Sequence, residues 1–137
     1  MKLDPSAFVA QQALIETLGN LATPISTEED CVLFEQGEEP TGLYILHSGN
    51  AVLTMKAPNG ANVLREAAAN GSLFGLPGVV GGMPYSLSVT VQKGAKVSFI
   101  PRDQFSQIMM TEPALAVQVL QVLAAEVRSA RSGMVSC

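Results

Sequence analysis

Residues able to do chemistry gather in one stretch of this sequence, Asn70 to Val91. It reads Asn-Gly-Ser-Leu-Phe-Gly-Leu-Pro-Gly-Val-Val-Gly-Gly-Met-Pro-Tyr-Ser-Leu-Ser-Val-Thr-Val. Glycine lets a backbone approach a ligand closely, and successive N–H groups in a turn can cradle an anion. Ser86 and Ser88 would add hydroxyl donors. The stretch therefore admits a small phosphate-bearing ligand, although glycine-rich loops more often serve only as tight turns. Gly78-Val79-Val80-Gly81-Gly82 is not followed by Lys-Ser or Lys-Thr, so it is not a triphosphate-binding loop.

Elsewhere the reactive groups are sparse. Glu28-Glu29-Asp30 has no histidine or base beside it and reads as solvated charge. His47 is the single histidine, and a usual zinc site needs about three or four converging ligands, so no metal is expected. We read His47 as a half-buried strand residue. Cys31 has no nearby Lys or His to lower its thiol pKa and reads as a small buried hydrophobe. Cys31 and Cys137 make no disulfide framework, and Asp4 and Pro5 stand where a signal peptide would be apolar. Both facts point to the cytoplasm. With no nucleophile elbow, dinucleotide fingerprint or zinc motif, the chain is not expected to be an enzyme.

The elements that must position these residues follow from composition and pattern. The chain has 137 residues, 47% hydrophobic and 15% charged, with a formal net charge of −4. That supports one domain with its own core and excludes a disordered chain. No run approaches the roughly 20 apolar residues of a membrane span. Residues 1–50 hold 8 acids against Lys2 alone, and residues 51–137 hold 4 acids and 7 bases. Neither half carries a dense basic patch interleaved with aromatics, so direct nucleic-acid binding is not expected.

Phe8, Leu14, Ile15 and Leu18 predict a helix over residues 5–18, stopped at Gly19, with a loop over 20–31. Short apolar runs then recur at intervals of about ten residues, the pattern of an antiparallel sandwich or barrel. They are Cys31–Phe34, Leu43–Leu46, Ala51–Met55, Val63–Glu66, Ser88–Val91 and Lys96–Ile100, with imperfect alternation within them. Asn59-Gly60 predicts a type I′ hairpin turn. After Thr111-Glu112-Pro113, Ala114 to Arg131 runs free of Gly and Pro and predicts a long helix. Gln118, Gln121, Arg128 and Ser132 mark its polar face. Leu115, Val119 and Val122 form one apolar stripe; Ala116, Leu120, Leu123, Val127 and Ala130 form a second. The alternating spacing of the second is that of a helix–helix seam. With only one other helix expected, a second copy of the chain is its natural partner.

Val32-Leu33-Phe34-Glu35-Gln36-Gly37-Glu38 and Leu43-Tyr44-Ile45-Leu46-His47-Ser48-Gly49 resemble the opening strands and turns of cyclic nucleotide-binding domains. Gly71-Ser72-Leu73-Phe74-Gly75 is similar to the start of that family's phosphate-binding cassette. Phe99-Ile100-Pro101-Arg102-Asp103-Gln104-Phe105 resembles its last strand and turn, and residues 113–131 its long helix. The resemblance runs in order over nearly the whole chain. It implies an antiparallel β jelly roll with a short N-terminal and a long C-terminal helix. The corresponding divisions are 1–30 for helix and loop, 31–102 for the roll and 103–132 for the C-terminal helical segment.

The resemblance also implies a site, and there the sequence departs from the family. Ligand-binding members carry Glu directly after the cassette glycine and Arg about ten residues beyond it, for the ribose and the cyclic phosphate. Here Leu76 follows Gly75, Tyr85 or Ser86 stands near the Arg position, and no Arg or Lys lies between Arg65 and Lys93. The residues at the cassette are then Gly75, Leu76, Tyr85, Ser86, Leu87 and Ser88, with Arg131, or Arg128, as a base-stacking candidate from the long helix. Glu126 faces either the site or the seam.

Three functions follow as expectations. The first is a regulatory sensor domain holding a cyclic nucleotide or another small anion weakly, with no other cofactor. The second is a ligand-free scaffold for dimerisation or docking to a protein partner, or the sensor part of a transcription regulator lacking its DNA-binding domain. The third, a cupin-type enzyme on a related roll, lacks the histidines for its metal. An open concavity beside Leu76, Tyr85 and Leu87 would favour the sensor, and a filled one the scaffold.

Overall fold

The computed structural model describes residues 12–135, with side-chain surroundings described for residues 12–125. The elements run α1 (Gln12–Leu21), β1 (Thr23–Ile25), β2 (Cys31–Phe34), β3 (Gly42–Ser48), β4 (Ala51–Lys56), β5 (Asn62–Ala67) and β6 (Ser72–Phe74). They continue α2 (Leu76–Gly81), β7 (Ser88–Val91), β8 (Lys96–Pro101), α3 (Arg102–Thr111) and α4 (Pro113–Val135). The strands form two antiparallel four-stranded sheets, ordered β1-β8-β3-β6 and β2-β7-β4-β5. This is the jelly roll with flanking helices.

Two apolar layers hold it together. Phe34, Leu46, Leu53, Phe74, Val89, Val91 and Val97 fill the space between the sheets. Leu14, Leu18, Leu43, Ile45, Leu73, Ile100 and Phe105 form a second layer, where helices cover the β1-β8-β3-β6 sheet. Successive strand side chains point to opposite faces, so each strand of that sheet feeds both layers. In β3, Leu43 and Ile45 face the helices while Leu46 faces the other sheet. Burial on both sides explains the near-continuous apolar run Leu43–Leu46. The other sheet has a solvent face, where Val32 and Val63 are exposed and Val52 and Thr90 half-buried. Its strands therefore alternate. The imperfect alternation of the sequence is a mixture of these two situations.

Six strands fall where the apolar runs place them. The 20–31 loop also contains β1, which pairs with β8 through Thr23–Phe99, Pro24–Ser98 and Ile25–Val97. Proline is tolerated there because β1 lies at a sheet edge. Helix α1 does not stop at Gly19 but continues to Leu21, and the start expected at residue 5 lies outside the described residues. Asn59-Gly60 does not form a type I′ turn. Only glycines have positive φ among the described residues, and Gly60 is one of them, with φ +85°. The Gly60 N–H reaches the Ala57 carbonyl at 2.8 Å and the Ala57 N–H reaches the Ala61 carbonyl at 2.9 Å. That is a turn with Pro58 at its second position, followed by a left-handed glycine, the three-residue hairpin loop.

The C-terminal helical segment contains two helices, α3 and α4, separated by Glu112. Val119 and Val122 of α4 are buried in the helical layer, and Leu115 and Leu123 pack partly against it. Gln118, expected on the polar face, is half-buried.

The two faces of the fold should respond differently to truncation. Leu43→Ala, in the fully buried helical layer, is expected to cost about 2–5 kcal/mol. Val32→Ala, on the solvent face, should stay within about 0.5 kcal/mol of the parent. Urea unfolding followed by circular dichroism checks both.

Candidate functional site

The cassette begins where β6 ends. Gly75 turns the chain with φ +98° and caps α2, which starts at Leu76. A Cβ at Gly75 would stand 3.0 Å from the Tyr85 ring and 3.1 Å from the Gly42 carbonyl, so only glycine fits. The stretch expected as a glycine-dense loop is thus partly helical. Pro77 sits in the first turn of α2, and Gly82, with φ +71°, ends it by donating its N–H to the Gly78 carbonyl at 2.8 Å.

Tyr85 occupies the centre of the region. It is 4% exposed, and its ring stacks on Phe34 at 3.9 Å between centroids and 21° between planes. Its hydroxyl donates to the Gly42 carbonyl at 2.8 Å and accepts from the N–H groups of Thr41 at 3.0 Å and Gly42 at 3.3 Å. The reason lies in the sheet. Strand β6 pairs with β3 only as far as Phe74 opposite Tyr44, so Gly42 lies beyond the end of its neighbour. The phenol exchanges hydrogen bonds with Gly42 as another strand would, in place of the missing ladder. The backbone of Tyr85 is held as well. Its N–H donates to the Glu38 carbonyl at 3.0 Å, and its carbonyl accepts from the Gly37 N–H at 2.8 Å.

The packing continues inward. Phe34 meets Tyr44 at 5.5 Å and Tyr44 meets Phe99 at 4.8 Å, giving a row of four aromatic rings from the cassette to β8. Burial, then the neighbouring Tyr85, push the Tyr44 phenol above the ordinary tyrosine pKa, against a smaller lowering from Thr41.

The other expected site residues separate. Leu76 is fully buried in the helical layer, whereas Leu87 is buried between the sheets. Ser86 is exposed, which distinguishes it from Tyr85 as the inward group. Ser88 is half-buried, and its hydroxyl accepts from the Gln36 N–H at 2.8 Å. Arg131, Arg128 and Glu126 have side chains outside the described residues, as do Val127 and Ala130 of the seam. Of the remaining seam residues, Ala116 and Leu123 are half-buried and Leu120 is 56% exposed.

Sequence reasoning missed Arg102. Its guanidinium lies 3.3 Å from where a Cβ on Gly82 would be, at the far end of α2 from Gly75. There it faces the helix's carbonyl end, the favourable place for a cation. The backbone N–H of Arg102 donates to the Thr41 carbonyl at 3.0 Å, tying the start of α3 to the loop that Tyr85 holds. Its identity in the Pro-Arg-Asp-x-Phe string was visible, but nothing in the string signals proximity to α2. Among the described residues no group of three or more His, Cys, Asp or Glu side chains could hold a metal ion.

This double β roll, with a glycine-capped short helix between β6 and β7, defines a class of regulatory domain. The cyclic nucleotide-binding domain profile matches residues 24–112, and the chain belongs to that family. The CRP-like cAMP-activated global transcriptional regulator of Mycobacterium tuberculosis (strain CDC 1551 / Oshkosh) is 24% identical over 132 residues. That alignment covers 96% of this chain and 56% of the regulator, so the chain spans about half the length of the curated relatives it matches. Among solved structures, the Thermus thermophilus catabolite activator protein superposes with a TM-score of 0.77 at 18% identity, over 96% of this chain and 62% of that one. The N-terminal domain of a transcriptional regulator from Streptomyces coelicolor A3(2) gives 0.67 at 16% identity, over 95% and 90%. No single helix among the described residues is long and apolar enough to cross a membrane.

Two measurements probe the site. Tyr85→Phe keeps the ring but strands the Thr41 and Gly42 peptide groups, and should destabilise the fold by about 1–3 kcal/mol in urea titrations. The same variant leaves Tyr44 as the chain's single tyrosine, since there are only two. Its tyrosinate absorbance should still appear above the ordinary tyrosine range, because burial, the larger cause, remains when the contribution of Tyr85 is removed. Folding raises this pKa, so the protonated phenol stabilises fully below the ordinary value. That contribution drains away as pH rises through the raised one.

Proposed function

We propose that this chain is a regulatory domain of the cyclic nucleotide-binding family in which a tyrosine replaces the ligand's anchor. One observation carries the reading. Tyr85, one of the two residues that the resemblance puts near the phosphate-binding Arg position, is buried, ring-stacked and bonded through its hydroxyl to Gly42 and Thr41. Leu76, where the resemblance puts the ribose-binding Glu, is buried among apolar side chains. A cyclic phosphate entering here would meet a phenol already committed to peptide groups, with no guanidinium in the cassette. Without the charge-assisted bond, affinity should fall roughly ten- to a hundredfold, before any cost of displacing the ring. Cyclic AMP and cyclic GMP therefore bind weakly or not at all.

The domain then acts by protein contact. Val117 and Leu120 stand 57% and 56% exposed on α4, and Met110 is exposed at the end of α3. The exposure of Leu120, a residue of the seam Ala116, Leu120, Leu123, Val127 and Ala130, supports a homodimer formed through the long helix. The relatives are named as transcriptional regulators, which supports a role as the sensor or dimerisation part of such a protein. In this reading the domain has no catalytic activity, touches no nucleic acid itself, and works in the cytoplasm.

Calorimetric titration of the chain with cyclic AMP and with cyclic GMP is expected to give no saturable heat; micromolar binding of either would overturn the proposal. Leu120→Asp should halve the mass seen by light scattering while leaving the circular dichroism spectrum unchanged. Leu120 is the cleaner site for this test than Leu123, which also packs against the domain's own core.

A further inference from the structure

A concavity lies on the helix-covered side of the β1-β8-β3-β6 sheet, at the opposite end of β6 from Gly75 and Tyr85. It is a groove of about 900 Å³ between α1, the end of β3 and the turn before β6. That volume falls in the range of roughly 300–1,000 Å³ typical of small-molecule sites. Glu16, Gly19, Asn20, His47, Asn70 and Gly71 line it.

The sequence builds this groove deliberately at two glycines. A Cβ on Gly19 would come within 3.1 Å of the His47 ring, so glycine lets α1 settle against β3 there. Gly71, with φ +83°, turns the chain into β6 and donates its N–H to the Leu46 carbonyl at 2.8 Å. His47 is fixed in place, because its Nε2 is 2.8 Å from the hydroxyl of Ser98, itself buried. Its Nδ1, and the side-chain amides of Asn20 and Asn70, have no hydrogen-bond partner among the described residues. Gln12 donates to one Glu16 oxygen at 3.3 Å and leaves the other unengaged.

The chemistry of the lining selects among ligands. Glu16 is the one acidic residue among the lining residues, which include no Lys or Arg. An anion would meet that carboxylate without a Lys or Arg to offset it. A cation with several N–H donors would instead find a carboxylate, with the Asn20 and Asn70 amides able to turn their oxygens toward it. From this lining we infer that the groove binds a small metabolite bearing an amine or guanidinium group, with Glu16 as its charge partner and the Asn20 and Asn70 amides orienting it.

The test uses the full 137-residue chain, labelled with nitrogen-15, and agmatine as probe. Agmatine carries a guanidinium and an amine but no carboxylate. The expected result is saturable shifts of the Gly19, Gly71 and Asn70 amide signals, with a Kd near or below about 1 mM. Glu16→Gln, on the exposed face of α1 and so neutral to folding, should weaken binding at least about tenfold. Asn70→Ala should weaken it less. Shifts that never saturate, that map elsewhere, or that persist in Glu16→Gln would overturn the assignment. Cyclic AMP producing the same shifts would overturn it too, because the groove would then not discriminate by charge.

Discussion

Everything at the cassette depends on one side chain serving as a piece of sheet. Strand β6 stops at Phe74 so that Gly75 can start α2, and the stop leaves the first residue of β3 paired with β8 on one side but without a strand on the other. A buried, unpaired peptide group costs about 1–3 kcal/mol, so the gap must be closed by something. The Tyr85 hydroxyl closes it from across the roll, while the ring stacks on Phe34 and the backbone pins the turn at Gly37 and Glu38.

That brace is also connected to the helices. The Thr41 N–H points to the Tyr85 hydroxyl, and the Thr41 carbonyl accepts from Arg102, the first residue of α3. Helix α3 packs on α4 through the layer that holds Phe105, Ile108, Val119 and Val122. A continuous set of hydrogen bonds and packed side chains therefore joins the cassette to the long helix. In a domain with an anion-filled cassette the ligand could bias such a set. Here Tyr85, a fixed part of the chain, forms the cassette end of that set.

Much of this was legible in the sequence, for identifiable reasons. Strand positions followed from short Val, Leu and Ile runs and glycine turns, because the roll's strands are cut to about the length of those runs. The long helix followed from eighteen residues, 114 to 131, without Gly or Pro. What escaped was set by tertiary contact. β1 is a three-residue edge strand containing proline and has no periodicity to read. α2 holds Gly78 and Gly81, poor helix formers, and exists because Gly78 lets it approach Pro40 and the Met83 carbonyl. At the site, Leu76 after Gly75 and the absence of Arg or Lys between Arg65 and Lys93 could be read residue by residue. The inward turn of Tyr85 as against Ser86 could not, since it depends on where β6 ends.

The hydroxyl of Tyr85 is the feature that packing alone does not require. Filling the space beside Phe34 needs only bulk, and phenylalanine would supply that without a polar atom to satisfy. A buried phenol is costly unless its oxygen finds partners. This one finds three, all peptide groups of the loop that enters β3. Gly75 fits the same account, because any side chain there would collide with the Tyr85 ring as well as with the Gly42 carbonyl. The left-handed turn at Gly75 thus serves the close approach of the chain's own tyrosine.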